Sequence, residues 1–275
     1  MNGIVVGYDG SPESRRAVGW AAAEARRAGC RLQIVTTYQI TWPGAYYAGT
    51  AEQIEAAREA AESILAAVTE EIRAEFRDVD VIGVSAAAPA AATLLDLGEA
   101  GARLLVVGSR GVGGLAGLLL GSVSQQVATH ARVPVAVVRG RPDPSVGPVV
   151  VGVDGSPSGD AALELAFEAA RAHGRMLVAI RAVEGPEPHE HDQAALAESL
   201  ARWVQKYPDV PVARQVVAGR AAAVLVDASR TATLVVVGSR GHGGFAGLLL
   251  GSVGQHLMHH ADCPVLIAHQ RGTGA

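Results

Sequence analysis

The stretch Gly108-Ser-Arg-Gly-Val-Gly-Gly-Leu-Ala-Gly-Leu-Leu-Leu-Gly-Ser-Val123 returns almost unchanged as Gly238-Ser-Arg-Gly-His-Gly-Gly-Phe-Ala-Gly-Leu-Leu-Leu-Gly-Ser-Val253. Only two of the sixteen positions differ. Chance does not produce a match of this length, so the chain contains two copies of one structural unit. Both copies share one glycine spacing: two residues separate the first two glycines, and nine more precede a Gly-Ser pair.

A second landmark opens each copy. Val6-Gly7-Tyr8-Asp9-Gly10-Ser11-Pro12 is matched by Val151-Gly152-Val153-Asp154-Gly155-Ser156-Pro157. The two aspartates are 145 positions apart, whereas Gly108 and Gly238 are 130 apart, so the second copy is fifteen residues shorter between its landmarks. We expect the difference to come from the stretch around 41–50, which has only a short counterpart in the second copy.

The copies are joined by a segment rich in proline and glycine. Pro142, Pro144 and Gly147 lie within it, and such residues interrupt regular structure. We therefore predict a first domain at 1–140, a linker at 141–147 and a second domain at 148–275.

Within each copy, short apolar runs rich in β-branched residues alternate with helical segments, as expected of strands buried on both faces. The predicted strands are Ile4–Tyr8, Leu32–Thr37, Val79–Ser85, Arg103–Gly108 and Val135–Val138, then Val149–Val153, Met176–Arg181, Val210–Val217, Thr233–Gly238 and Val265–Ala268. Ser11 and Pro12 favour a helix start, and Gly29 favours its end. The alternation predicts an α/β fold in which a parallel sheet carries helices on both faces.

Composition excludes several classes of protein. The net charge of −4 and the pI near 6.1, without a cluster of Lys and Arg, argue against nucleic-acid binding. No apolar run approaches the length of a membrane span, and the N-terminus lacks a signal-type pattern. Cys30 and Cys263 do not indicate a disulfide framework. We expect a cytoplasmic protein with no membrane partner.

The landmarks indicate where a ligand binds. A strand order of 3-2-1-4-5 makes the first and fourth strands neighbours at a topological switch point, with Asp9 and Gly108 at their carboxyl ends. A loop with little side-chain bulk lets backbone N–H groups approach phosphate oxygens. Gly121, Ser122 and Val123 open the next helix, whose N-terminus also favours phosphate.

Two other phosphate motifs fit less well. A P-loop needs a lysine after its last glycine, but Lys206 is the only lysine in the chain. Gly111 to Ala116 satisfies a dinucleotide pattern, yet no acidic residue near Ala131 is placed to hold a ribose. The standard P-loop NTPase is thus excluded, and a dinucleotide site is weakly supported.

The spacing of Gly108, Gly111, Gly121 and Ser122, repeated in the second copy, resembles the ATP-binding signature of the universal stress protein family in its tandem-domain form. The resemblance covers essentially the whole chain, including the aspartate after the first strand and the Pro-Val pairs at Pro134 and Pro264. It implies two tandem flavodoxin-like (Rossmann-like) domains, each a five-stranded parallel sheet of order 3-2-1-4-5 with helices on both faces.

The resemblance also implies which residues bind nucleotide. Asp9 and Asp154 would lie by the ribose or a phosphate-bound Mg²⁺, and the backbone at Thr37 and Ala182 would meet the adenine. The triphosphate would be held by Gly108, Gly111, Gly121, Ser122 and Val123 in the first copy, and by Gly238, Gly241, Gly251, Ser252 and Val253 in the second.

Three functions compete. The resemblance implies an ATP-binding regulator of stress response or growth arrest, acting on an unknown protein partner. A slow ATPase or autophosphorylating enzyme would need Asp9 or Asp154 as its base. A ligand-free interaction scaffold is the third alternative. By analogy with the family, the last strand of each copy is expected to pair through its edge, within the chain or in a homodimer.

Other polar residues allow more than one interpretation. Arg110 and Arg240 lie between signature glycines and can either pair with phosphate or remain in solvent. His256, His259 and His260 share one helix face, but no matching Cys or carboxylate cluster accompanies them. We expect a surface or interface face there, and we predict no catalytic residue and no protein metal site.

Overall fold

The computed structural model describes residues 3–38, 51–112, 120–141, 146–185, 187, 189–241 and 250–269. The chain divides into two compact units, Met1–Val127 and Ala128–Ala275. The stretch at 41–50 and most of the linker, residues 142–145, lie outside the described residues. Among the helices that are described, none is both long enough and apolar enough to span a membrane.

The first unit is built on a parallel sheet of order β3-β2-β1-β4. Its strands are β1 (Ile4–Gly7), β2 (Leu32–Thr37), β3 (Val81–Ala86) and β4 (Leu104–Gly108), and its helices are α1 (Pro12–Ala28), α2 (Ala51–Glu75) and α3 (Ala90–Glu99), followed by α4 (Ser122–His130) at the boundary between the units. Val5 of β1 aligns with Gln33 of β2 on one side and with Leu105 of β4 on the other. The first and fourth strands are therefore neighbours, as predicted.

The second unit contains a sheet of order β8-β7-β6-β9-β10-β5. Its strands are β5 (Val135–Val138), β6 (Val149–Gly152), β7 (Leu177–Val183), β8 (Val212–Ala218), β9 (Leu234–Gly238) and β10 (Val265–Ala268), and its helices are α5 (Pro157–His173), α6 (Glu190–Lys206), α7 (Ala221–Ser229) and α8 (Ser252–His260). The five strands of the second repeat run parallel in the predicted order 3-2-1-4-5. The predicted α/β fold class is confirmed.

β5 is the last strand of the first repeat, yet it belongs to the second compact unit. There it pairs antiparallel with β10, with Ala136 opposite Leu266. All four residues of β5 are buried. The predicted edge pairing between the last strands of the two repeats is thus present within this unit.

The local sequence explains how the first helix is placed. Ser11 caps α1, because its Oγ accepts a hydrogen bond from the Ser14 N–H at 3.1 Å. Gly29 ends the helix in the left-handed conformation, with φ of 58°. The face of α1 that carries Ala17, Val18 and Ala21 is fully buried, so the helix N-terminus is held at the carboxyl end of β1.

Candidate functional site

A cavity of about 340 Å³ lies at the carboxyl ends of β1 and β4 in the first unit. Its volume is within the range of small-ligand pockets. All the residues that the sequence predicts as nucleotide-binding in the first repeat line it, namely Asp9, Thr37, Gly108, Gly111, Gly121, Ser122 and Val123. The fold therefore brings together residues that are up to 114 positions apart in the sequence.

Asp9 closes the loop that carries the second signature glycine. One oxygen, Oδ1, accepts a hydrogen bond from the Ser11 N–H at 3.0 Å. The other, Oδ2, accepts one from the Val112 N–H at 2.9 Å. The carboxylate therefore ties the start of α1 to the Gly108–Val112 segment.

These hydrogen bonds stabilise the ionised form of Asp9. Burial alone would raise the pKa of its carboxylate, because a charge is less stable away from water. Burial is the largest single influence, but the hydrogen bonds from Ser11, Ser14 and the Val112 N–H together outweigh it, so the pKa of Asp9 lies below its usual value. Asp9 is an anion at neutral pH.

The signature glycines permit close contact with neighbouring groups. A Cβ at Gly108 would lie 2.8 Å from the backbone carbon of Glu13 and 2.9 Å from the Ser14 nitrogen. A Cβ at Gly111 would collide with Asp9 Oδ2. Any side chain at these positions would push the loop away from α1 and open the cradle that Asp9 closes.

Helix α4 points its N-terminus into the cavity. Gly121 donates its N–H to the Ser109 carbonyl at 2.8 Å, and the helix begins where the Gln125 N–H reaches the Gly121 carbonyl at 3.0 Å. Ser122 and Val123 form the first turn, in which backbone N–H groups have no partner inside the helix. Ser124 donates its hydroxyl to the Gly108 carbonyl at 2.6 Å and fixes the helix against β4.

The second repeat reproduces this arrangement. Asp154 Oδ1 accepts hydrogen bonds from the N–H of Ser156 at 2.9 Å and from its hydroxyl at 2.7 Å. A Cβ at Gly241 would lie 2.7 Å from Asp154 Oδ2, and one at Gly238 would lie 2.8 Å from the backbone of Ser158. The aspartate therefore lies against the glycine loop in the second repeat too, at a slightly larger distance than in the first.

The remaining predicted residues of the second repeat occupy equivalent elements. Gly251 donates its N–H to the Ser239 carbonyl at 2.7 Å and caps α8, which begins with Ser252 and Val253. Ala182 lies near the end of β7, and Thr37 ends β2 at the corresponding place in the first repeat.

Several residues of the first cavity were not found from the sequence. Tyr8 follows β1, Val35 lies within β2, and Ala90 and Leu94 come from α3. Their spacing of i and i+4 places both on one helix face, which was the only available signal. A Cβ at Gly7 would lie 3.1 Å from Leu94, so α3 packs tightly on β1 at the cavity wall.

The leucine runs of the signature are described only at their last residues. Leu120 and Leu250 are buried, and Leu120 lines the first cavity. Leu118, Leu119, Leu248 and Leu249 lie outside the described residues. Within the described ranges, no group of three or more His, Cys, Asp or Glu side chains is arranged to hold a metal ion.

Fold and site together define an α/β protein with two flavodoxin-like repeats, each with a glycine loop and a helix N-terminus at its switch point. A family model described as the universal stress protein family matches residues 1–139 and 146–269. The chain belongs to the universal stress protein family. This membership supports a role in the stress response.

Similar proteins span nearly the same length. Universal stress protein Rv2005c of Mycobacterium tuberculosis is 38% identical over 290 residues, covering 98% of this chain and 98% of its own. Universal stress protein Rv1996 of the same organism is 37% identical over 300 residues, covering 97% and 94%. The crystal structure of a universal stress protein from Archaeoglobus fulgidus covers 98% of this chain and 99% of its own with a TM-score of 0.79, and at 22% identity it supports the fold.

Proposed function

We propose that each repeat binds one ATP, with Mg²⁺, and that ATP occupancy regulates the action of this protein in the stress response through a protein partner. One observation carries the proposal. The seven residues predicted to bind nucleotide in the first repeat line a single cavity at the topological switch point. The repeated loop in the second unit supports a second site of the same kind.

The described residues fit a nucleoside triphosphate. Gly108 and Gly111 make a narrow cradle that a Cβ would fill, and the N-terminus of α4 supplies backbone N–H groups beside it. These groups would hold the phosphates, while Thr37 at the carboxyl end of β2 would meet the base. Gly238, Gly241, Ser252 and Ala182 would do the same in the second repeat.

Mg²⁺ would bind chiefly through the phosphates. It usually keeps several water ligands and takes only one or two protein carboxylates. Asp9 and Asp154 are the aspartates beside the glycine loops, and their carboxylate oxygens would accept hydrogen bonds from the water ligands of the ion. When bound, the ion would neutralise part of the phosphate charge.

The hydrogen bonds of Asp9 favour binding over hydrolysis. A general base must accept a proton from the attacking group, and its efficiency falls when its pKa lies far below the working pH. Both carboxylate oxygens of Asp9 already accept backbone N–H groups, and its pKa is lowered. We therefore propose a regulator in preference to an ATPase.

Substitution of Ser122 and Ser252 tests the proposal. Both serines are exposed at the first position of a helix, where aspartate stabilises the helix because it complements the dipole. The same aspartate places a negative charge where phosphate would bind. Ser122→Asp and Ser252→Asp should each remove one ATP without loss of folded protein, and the double variant should bind none.

The measurement is calorimetric titration with ATP and Mg²⁺ after any copurifying nucleotide has been removed. Ser122→Asn and Ser252→Asn are the matched controls, because they have nearly the size of aspartate without the charge. Two ATP per wild-type chain, one per single aspartate variant and two per asparagine variant would support the proposal. A wild-type chain that binds no ATP, or aspartate variants that bind like it, would overturn it.

A further inference from the structure

The two sites differ in the first turn of the helix that follows the aspartate. The signatures themselves are identical at all but two positions, so they would contribute equally to phosphate binding. Glu13 and Ser14 of α1 are replaced by Ser158 and Gly159 of α5. This turn lies against the signature arginine in both repeats.

In the first repeat, the signature arginine is held by a carboxylate. Arg110 Nη2 donates to Glu13 Oε1 at 2.8 Å. The side chain of Glu13 is only 16% exposed, whereas that of Arg110 is 50% exposed. Arg16 lies 3.9 Å from the same carboxylate oxygen. The Arg110 guanidinium must therefore leave a partly buried ion pair before it can bind another anion.

In the second repeat, the corresponding arginine lacks this partner. Ser158 replaces the glutamate, and its hydroxyl donates to the backbone carbonyl of Arg240. Among the described residues, no Asp or Glu lies within ion-pair distance of the Arg240 guanidinium. The acidic residue in the first turn of α5, Asp160, is bound to Arg202 at 2.9 Å. The sequence of segment 242–249 contains no Asp or Glu.

Both arginines lie beside the helix N-terminus that faces the proposed phosphates. The Cα of Arg110 is 3.4 Å from the Cβ position of Gly121, and that of Arg240 is 3.5 Å from the Cβ position of Gly251. Arg110 lines the first cavity. Arg240 occupies the equivalent backbone position in the second repeat.

We propose that the two nucleotide sites are unequal: Arg240 binds the phosphates of the nucleotide in the second repeat, whereas Glu13 restrains Arg110 in the first. This inference rests on the proposed function. The second site then prefers nucleotides with more phosphate groups, and it fills before the first as the ATP concentration rises.

The difference in affinity follows from the energy of charged hydrogen bonds. A guanidinium–phosphate contact is charge-assisted, and its loss is expected to weaken binding by about tenfold. Arg110 can make the same contact only by giving up Glu13, which would cancel most of the gain. Adenosine has no phosphate, so its affinity at each site should not depend on Arg110 or Arg240.

The test measures each site separately. Ser122→Asp leaves the second site and Ser252→Asp leaves the first, so titration of each with ATP gives one dissociation constant. We expect ATP to bind the second site about tenfold more tightly. Adding Arg240→Gln to the Ser122→Asp chain should abolish this advantage, whereas adding Arg110→Gln to the Ser252→Asp chain should change affinity by less than about threefold.

Glu13→Ser provides an independent check. It places in the first repeat the serine found at the equivalent position, Ser158, in the second, and it removes the carboxylate that binds Arg110. In the Ser252→Asp chain it should raise ATP affinity several-fold and leave adenosine binding unchanged. A thermal melt without nucleotide confirms that the variant is folded. If both sites bind ATP equally and Arg240→Gln has no effect, the inference is wrong while the proposed function stands. If the single-site chains bind no ATP, both are wrong.

Discussion

Asp9 is engaged chiefly by the protein's own backbone. The family resemblance implies that the Asp9 carboxylate contacts the ribose or a metal ion. Its two oxygens, however, already accept hydrogen bonds from the N–H groups of Ser11 and Val112. Those bonds connect the start of α1 to the glycine loop. Asp9 is therefore a positioning residue for the loop, and any contact with a nucleotide or ion would be added to that role.

His269 at the end of β10 is a second residue whose surroundings control its charge. Its side chain is 8% exposed, and its Nε2 atom has no hydrogen-bond partner among the described residues. Burial lowers the pKa of the imidazole to about 4, although a hydrogen bond with the backbone of Ala128 opposes this shift and the charge of Arg240 adds to it. His269 is therefore neutral at pH 7.

Stability should consequently fall as the pH decreases from 6.5 to 4. In this window the unfolded chain takes up a proton at His269 and the folded chain does not, so protonation favours unfolding. The contribution of His269 is fully present above pH 6.5, and its loss reaches at most about 3 kcal/mol near pH 4. Melting temperatures measured across this range should fall less steeply for His269→Asn than for the wild type.

His256→Asn is the control for this prediction. His256 is exposed on α8, beside His260 at a ring distance of 4.4 Å. Its replacement should leave most of the pH dependence in place. Equal slopes for the wild type and His269→Asn would show that the buried imidazole does not control stability in this range.

At the scale of the element, both ends of α1 could be predicted from local sequence features. The serine cap at Ser11, the proline at Pro12 and the left-handed glycine at Gly29 are all where the sequence predicts them. These features are local, because each depends on hydrogen bonds or backbone angles within a few residues.

The starts of β3 and β8 were predicted two residues too early. Val79 and Val210 are apolar and buried, which made them look like strand residues. Their N–H groups instead close turns after the preceding helices, onto the carbonyls of Phe76 and Tyr207. An apolar residue at the end of a turn cannot be distinguished by burial alone from the first residue of a strand.

Two glycines near α1 should respond in opposite ways to alanine. Gly19 lies inside the helix, and an added Cβ would meet nothing within 4 Å. Gly19→Ala should stabilise the protein by roughly 0.5–1 kcal/mol, because glycine loses more backbone entropy in a helix. Gly108→Ala should destabilise it by about 1–3 kcal/mol, since the new Cβ meets the helix backbone at Glu13.

Urea unfolding of the two variants checks this pair. The substitution is chemically identical, so the difference in unfolding free energy reports only the surroundings of each glycine. Two variants of equal stability would contradict the close packing of the glycine loop against α1.

At the scale of the whole molecule, the pairing of β5 with β10 was expected from the family resemblance, and the structure adds its direction and its place in the second compact unit. β5 closes the first repeat in sequence but lies in the second compact unit, antiparallel to β10. Both strands are fully apolar and buried, so their pairing removes two edges that would otherwise attract other chains.

Ala136→Pro tests the importance of this pairing. Ala136 is fully buried opposite Leu266, and proline would remove its N–H and place a ring in the ladder. This substitution should lower the free energy of unfolding by about 1–3 kcal/mol, because a buried ladder position loses its donor. We expect calorimetry to show a lower melting temperature for the second unit. The exposed edge of β10 should also make the variant aggregate, which light scattering would detect.

Ala136→Ser is the matched control, because it keeps the N–H and nearly the same volume. It should lower the melting temperature much less than proline. If proline and serine have the same small effect, β5 does not contribute to the stability of the second unit.

The sequence by itself determined the repeat, the α/β class, the strand order of the second repeat and the residues that gather at the first cavity. These features depend on the periodicity of apolar residues, on helix-capping residues and on the glycine spacing, all of which can be read from the sequence. Only the tertiary structure decided which N–H groups bind the Asp9 carboxylate, how the partners of Arg110 and Arg240 differ, and in which direction and which unit β5 pairs with β10. Those outcomes depend on contacts between residues about a hundred positions apart, whose distances no local pattern encodes.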